Sequence, residues 1–293
     1  SYQYKNARLR CNAFIQSSSP SIALRMIQHV QSLESLRLPP ILEMFARKKQ
    51  GFFLVVGPVG QGKSTTLAAI IDVINRDRKE HIVTIEDPIE YIHEEKNSII
   101  DQREIGIDSH SFPSALNAVF RQDVNVILVG EMRDPQTIST AVTAAETGHL
   151  VFSTLHTNNA AGAFPRLIDL GVNPKVITSA INISIAQRLL RQLCSSCKKE
   201  VVLSGKDKDI VDKIIASILD KSYLDGVQTE KVWEPVGCGL CNNSGYKGRM
   251  GIYEAILTDK NIEKIVREDP SEREIEIAAE GQNILNLRQD GLM

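Results

Sequence analysis

The sequence predicts an α/β fold built on a parallel sheet, and three observations predict it. Gly57-Pro58-Val59-Gly60-Gln61-Gly62-Lys63-Ser64 fits G-x-x-x-x-G-K-[ST], the phosphate-binding P-loop. A short apolar run precedes this string and a helical pattern follows it. Further on, β-prone runs alternate with helical stretches, as expected of a sheet with both faces covered.

The P-loop flanks come first. Phe52 to Val56 reads as a buried parallel strand, and Thr65 to Asn75 as a helix. Glycines let backbone N–H groups approach oxygens closely, and a helix N-terminus adds positive potential there. Gly57, Pro58, Val59, Gly60, Gln61, Gly62, Lys63, Ser64 and Thr65 form the expected nucleotide cradle. Lys63 would reach the β- and γ-phosphates of ATP, and the Ser64 hydroxyl would ligate Mg²⁺.

Upstream, Arg8 to Ile15 alternates in part like a strand, Ser17 to Pro20 turns the chain, and Ile22 to Val30 fits a strand or a short helix. Residues 1–38 are too few for an independent core. Pro39-Pro40 marks a linker or domain entry, and Ile41 to Lys49 reads as a helix.

Downstream, strands are expected at His81 to Glu86, Asn125 to Gly130 and His149 to Thr154. Helices are expected at Ser111 to Arg121, Pro135 to Thr147, Ala160 to Leu170 and Asn173 to Leu193. Residues 39–193 thus make the P-loop core. Residues 194–255 form a cysteine- and glycine-bearing lobe, and 256–293 a helical, charged C-terminal region. Within the lobe, Asp207 to Leu219 carries apolar residues at helical spacing and reads as a packing helix.

Ligands of such sheets bind outside the carboxyl ends of the strands. Glu131 follows one strand and is placed to orient or deprotonate a water, or to hold Mg²⁺ through one. Standing alone, such a residue is as readily a surface Glu. Glu86, Asp87 and Glu90 end another strand, where Glu86 is the main candidate for metal or water. His149 and His156 flank a third strand; a neutral His can hydrogen-bond a γ-phosphate. Thr154 and Thr157 are polar supports. Arg103, Arg121 and Arg133 are candidate phosphate ligands, and Arg8 and Arg10 could serve a neighbouring subunit, since arginine stabilises the charge of phosphoryl transfer.

Of five cysteines, Cys194, Cys197, Cys238 and Cys241 form two CxxC pairs with residues 198–237 between them. Four thiolates suit a closed, structural Zn²⁺ site; two unrelated reduced pairs or a disulfide are the alternatives. Cys11 stands alone and reads as a small packing residue. The net charge of −2 gives no global signature of nucleic-acid binding, and no apolar run approaches a membrane span. No signal peptide is recognisable, and the absence of Met at position 1 fits a fragment of a longer protein.

The strings GPVGQGKSTTLAA, TIEDPIEY, VILVGEMRD and TAAETGHLVFSTLHTNNA together resemble the type II secretion and type IV pilus ATPase family, from about Arg8 to Gly291. The resemblance implies a RecA-like P-loop domain and the remnant of an N-terminal α+β domain, from RLRCNAF onward, with nucleotide between the two. A hinge near Pro39-Pro40 is expected. It further implies a hexameric cytoplasmic motor, an inner-membrane platform partner, Glu131 as catalytic carboxylate, Glu86 in an acidic box, and His149 and His156 as a histidine box. No direct nucleic-acid partner is expected. EMRD and AAETGHLVF resemble retraction motors. The four cysteines, LIDLGVNP, AQRLLRQLC and GYKGRMGIYE resemble assembly and secretion motors, which the reading favours. A nucleic-acid motor and a nucleotide-gated scaffold are the competing functions.

Overall fold

The computed structural model describes residues 2–4, 7–39 and 41–293. Pro40, half of the expected hinge, and the Arg8 side chain lie outside the described residues.

The chain opens with β1 (Tyr2–Tyr4), β2 (Ala7–Gln16) and β3 (Ser19–His29), a long antiparallel ribbon. Next come α1 (Ile41–Ala46), β4 (Gly51–Val56) and α2 (Lys63–Asp77). Strands β5 (His81–Glu86), β6 (Tyr91–Ile92) and β7 (Ile99–Glu104) precede α3 (Phe112–Val119) and β8 (Val126–Val129). Helix α4 (Pro135–Glu146), β9 (Leu150–Leu155), α5 (Ala163–Asp169), α6 (Pro174–Ala180) and β10 (Ile181–Leu193) complete the central unit. After them stand β11 (Lys199–Val202), α7 (Gly205–Ser217) and β12 (Lys231–Glu234). The chain returns through β13 (Tyr246–Leu257) and closes with α8 (Lys260–Val266), α9 (Glu272–Ala279) and α10 (Leu287–Asp290).

The central sheet has the order β13-β10-β4-β9-β8-β5-β7. It is parallel from β10 to β7, with β13 antiparallel at one edge. Both faces are buried. Phe52, Leu54 and Val56 point into one layer with α3 to α6, α8 and α9, whereas Phe53 and Val55 point into the other with α1 and α2. That is why β4 reads as an unbroken apolar run: each face of its pleat has its own helical cover. Phe53 stacks on Phe152 at 5.3 Å and meets Phe45 at 5.0 Å, joining β4, β9 and α1.

Helix starts follow capping chemistry. The Asp134 carboxylate accepts the Thr137 N–H at 2.8 Å, with Pro135 in the first turn of α4, and Ser111 caps α3 in the same way.

Three sequence expectations are corrected. Asn173 to Leu193 is not one helix: α6 ends at Ala180 and β10 begins at Ile181. Ile181, Ile183 and Ile185 are β-branched and buried, and pairing with β4 overrides the helical spacing further along. Helix α7 is present and half-buries Val211, Ile214 and Ile215, but none of its residues is fully buried and Ile210 is 53% exposed, so it packs only at one side and less fully than expected. Cys11 is exposed on β2 and packs into no core. In addition, residues 246–255 of the expected cysteine lobe lie in β13 and pair with β10 of the main sheet.

Candidate functional site

A cleft of about 900 Å³ opens at the carboxyl ends of β4, β9, β8 and β5. The chain leaves β4 through Gly57, Gly60 and Gly62, all with positive φ, and enters α2 at Lys63. Glycine is required at two of these positions for space as well as for φ. A Cβ on Gly57 would lie 2.7 Å from the Gln187 carbonyl oxygen, and one on Gly62 would lie 2.8 Å from Gln187 Nε2. Gly60 faces open space. Lys63 is buried, and its ammonium donates to the carbonyls of Gly57 at 2.8 Å and Pro58 at 3.0 Å. Desolvation lowers its pKa, opposed by the nearby Glu131 charge. A buried ammonium encircled by a glycine turn at a helix N-terminus is a built anion site.

Strand β9 separates β4 from β8, so the end of β9 stands between the P-loop and Glu131. Thr154 at that end donates its hydroxyl to the Gly130 carbonyl at 2.8 Å, and Met132 N–H donates to Thr154 O. These bonds aim Glu131 into the cleft. Its carboxylate pairs with Arg133 at 2.5 Å and lies 3.8 Å from His156 Nε2. His156 is held below its usual pKa by desolvation first, then by Lys63, so its imidazole is neutral at pH 7.

Gly130 packs against the backbone of Ile85 and Glu86, which brings the second carboxylate alongside. Glu86 accepts the Thr84 hydroxyl at 2.8 Å. It keeps an edge on the cleft but is crowded on most sides, and desolvation pushes it up to about 7. Asp87 and Glu90 line the same wall, with Glu90 paired to Arg25 at 3.5 Å.

The remaining candidates fall elsewhere. His149 sits at the amino end of β9, the opposite end from His156; its Nδ1 lies 3.0 Å from the Ala144 carbonyl, and its ring meets Phe120 edge-on. Arg103 donates to Gln122 at 2.6 Å, Arg121 is exposed after α3, and neither lines the cleft. Arg133 and Arg10 do line it. Thr157 caps a local turn by donating to Asn159 O.

Several lining residues had no assigned role in the sequence reading: Arg25 and Arg37 of the N-terminal segment, Tyr91, Gln187 and Tyr253. Tyr91 is 2.7 Å from the Thr65 hydroxyl, and β6 extends the N-terminal ribbon through Gln28↔Tyr91 and His29↔Ile92. The signal for Tyr91 was adjacency to TIEDPIE; Gln187 lay inside AQRLLRQLC with nothing local to single it out.

The four cysteines converge. Their sulfurs lie within 4.8 Å of one another, with 4.0 Å between Cys194 and Cys238, 3.9 Å between Cys197 and Cys241, and 3.8 Å between Cys238 and Cys241. Tetrahedral zinc with bonds of about 2.3 Å sets sulfurs about 3.8 Å apart, so the set fits the ion. Gly237 N–H donates to Cys197 Sγ, and Cys238 and Gly245 N–H donate to Cys241 Sγ, the outer contacts that steady thiolate ligands.

Comparison with known proteins agrees with this geometry. The type II/IV secretion system protein family matches residues 2–293. The type IV pilus assembly ATPase PilB of Acinetobacter baylyi is 41% identical over 248 residues, 84% of this chain and 40% of that protein. The type II secretion system protein E of Aeromonas hydrophila is 37% identical over 257 residues, 86% and 47%. A twitching motility protein of Neisseria gonorrhoeae is 53% identical over 165 residues, 56% and 44%. This chain therefore spans less than half the length of each of these relatives. Among solved structures, the pilus retraction motor PilT with bound ADP superposes with a TM-score of 0.74 at 32% identity, covering 99% of this chain and 70% of that one. A P-loop at the end of β4, a carboxylate beyond β8 and a match along the described chain lead to one conclusion: the chain belongs to the type II/IV secretion system protein family.

Proposed function

We propose that this chain is the ATP-hydrolysing part of a motor for type IV pilus assembly or type II secretion. The observation that carries this reading is the juxtaposition of Lys63, Glu131 and His156 at the mouth of one P-loop. In the proposed reaction, residues 57–65 hold the triphosphate and Lys63 leaves the Gly57 and Pro58 carbonyls for the phosphate oxygens. Ser64, with Glu86 nearby, would hold Mg²⁺, which would supply charge neutralisation to the phosphates. Glu131, held in place by Arg133, orients the attacking water, and neutral His156 donates toward the γ-phosphate. Arg10 and Arg25 supply positive charge from the N-terminal ribbon. Arg103 and Arg121 are assigned to a ring interface, where a neighbour's nucleotide would be their target.

The assembly or secretion role is favoured by the four-cysteine cluster, read as a structural zinc site, and by relatives of both kinds that match more than four-fifths of the chain. A retraction motor is the second reading, favoured by the twitching motility relative and the PilT likeness. A homo-hexamer acting on an inner-membrane platform from the cytoplasm completes the proposal. No described helix is long and apolar enough to cross a membrane.

Steady-state phosphate release tests the chemistry. Lys63→Ala and Glu131→Gln should each lower turnover by about a hundredfold or more with the circular dichroism spectrum unchanged. Turnover equal to that of the native chain in both variants refutes the mechanism. Complementation of strains lacking an assembly, secretion or retraction motor separates the roles.

A further inference from the structure

One strand connects the two sites. Residues Ile181 to Ala186 of β10 pair with β4, whose chain then turns away as the phosphate loop. From Gln187 onward β10 has lost that neighbour. Gln61 restores the contact: its side-chain oxygen accepts the Leu189 N–H at 2.8 Å. Gln187 fills the space beneath the loop. It is 2% exposed, its Oε1 accepts the Thr66 hydroxyl at 2.7 Å, and its amide lies against Gly62. The phosphate loop is thus braced from behind by β10 through two glutamines.

The same strand runs on to Leu193, and the next residue is Cys194. Its partner β13 starts just after Cys241. At that far end Cys194 N–H donates to Gly245 O at 2.9 Å, and Gly245 N–H donates to Cys241 Sγ at 3.3 Å. Near the cysteine end the ladder becomes irregular: Arg191 stands directly opposite Arg249, its guanidinium turned over the Tyr246 ring at 3.9 Å, and the register slips between Arg191 and Leu193. Leu190 and Met250, also opposite each other, are 41% and 40% exposed and bury little. A ribbon with so little burial frays from its open end unless that end is closed.

We propose that the cysteine cluster positions the phosphate loop: metal at the four cysteines closes the β10–β13 ribbon, the closed ribbon holds Gln187 and Gln61 in place, and metal and nucleotide therefore bind with positive coupling. The proposal rests on the nucleotide and zinc readings above. Because coupling is reciprocal, each ligand must tighten the other by the same factor.

The test uses the whole chain with zinc and a fluorescent, non-hydrolysable ATP analogue. Stripping zinc with a chelator should weaken the analogue about tenfold, and saturating analogue should tighten zinc about tenfold in competition with a chromogenic chelator. The second measurement uses zinc-loaded, folded protein, so it stands even if the stripped chain loses structure. In the Gln61→Ala/Gln187→Leu double variant the factor should fall below two, with one zinc per chain and an unchanged circular dichroism spectrum. A factor below two in the native chain, with zinc and analogue both bound, overturns the coupling. So does a double variant that keeps the native factor. Analogue binding that survives Lys63→Ala removes the nucleotide reading, and a native chain that retains no zinc removes the metal reading; in either case the coupling falls with it.

Discussion

The P-loop and the cysteine knuckles are both glycine-bearing turns, but they are held in place by different means. The P-loop stands on a sheet buried on both faces, where Phe52, Leu54, Val56 and Phe152 are fully covered. Around the knuckles, residues 194–245 bury little beyond Cys194, Leu203, Ile218 and Cys241. Hydrophobic burial fixes the first site, and on the proposed zinc reading four thiolates around one ion would substitute for a core at the second. The comparison teaches that one chain can stabilise neighbouring sites by unlike physics, and that the two should fail under different insults.

The largest difference is expected on metal removal. Stripping zinc, or Cys241→Ser, should expose residues 198–237 to protease while the fragment carrying β4 to β9 stays resistant, as limited proteolysis with mass mapping would show. Equal resistance of both regions would break the contrast. Next in size is Gly62→Ala. Its φ of 82° and the 2.8 Å approach to Gln187 Nε2 make any side chain strained, and nucleotide affinity should drop by roughly a hundredfold, about 3 kcal/mol. Gly60→Ala meets no atom within 4 Å and should cost about tenfold less; titration with labelled nucleotide ranks the pair.

A smaller effect is expected at Glu86. Pushed up to about 7 from an ordinary 4.5, it keeps a proton in the folded state that the unfolded chain releases. Stability therefore falls as pH rises from about 4.5 to 7, and the cost is complete above that window. Glu86→Gln should gain on the order of 2 kcal/mol at pH 8 and nothing at pH 4.5, read as thermal midpoints at the two values. The smallest effect belongs to Ile210→Ser on α7, which should change stability by no more than about 0.5 kcal/mol because the side chain is already in water. A loss several times larger would mean that Ile210 itself packs against another part of the chain.

Both contrasting regions were legible in the sequence to the extent that their chemistry is local. The P-loop is contiguous, and its strand and helix fall within two residues of their expected bounds. Glu131 directly follows one run read as a strand, and His156 comes two residues after the end of another. The knuckles are two short words, and their meeting needed only one assumption about metal. Gln187, by contrast, has no local mark. Its value comes from what β4 does when it leaves the sheet, more than a hundred residues earlier in the chain.

The sequence by itself determined the α/β class, the anion loop, the acidic strand ends and the paired cysteines, because glycine geometry, period-two burial and thiolate chemistry act over a few residues. Tertiary structure decided the rest. It turned Ile181–Leu193 into a strand, left much of α7 in water, and laid β10 and β13 as one ribbon from the phosphate loop to the cysteines. Those outcomes depend on which edge of the sheet remained open for pairing, and that is a property of the assembled chain rather than of any one stretch.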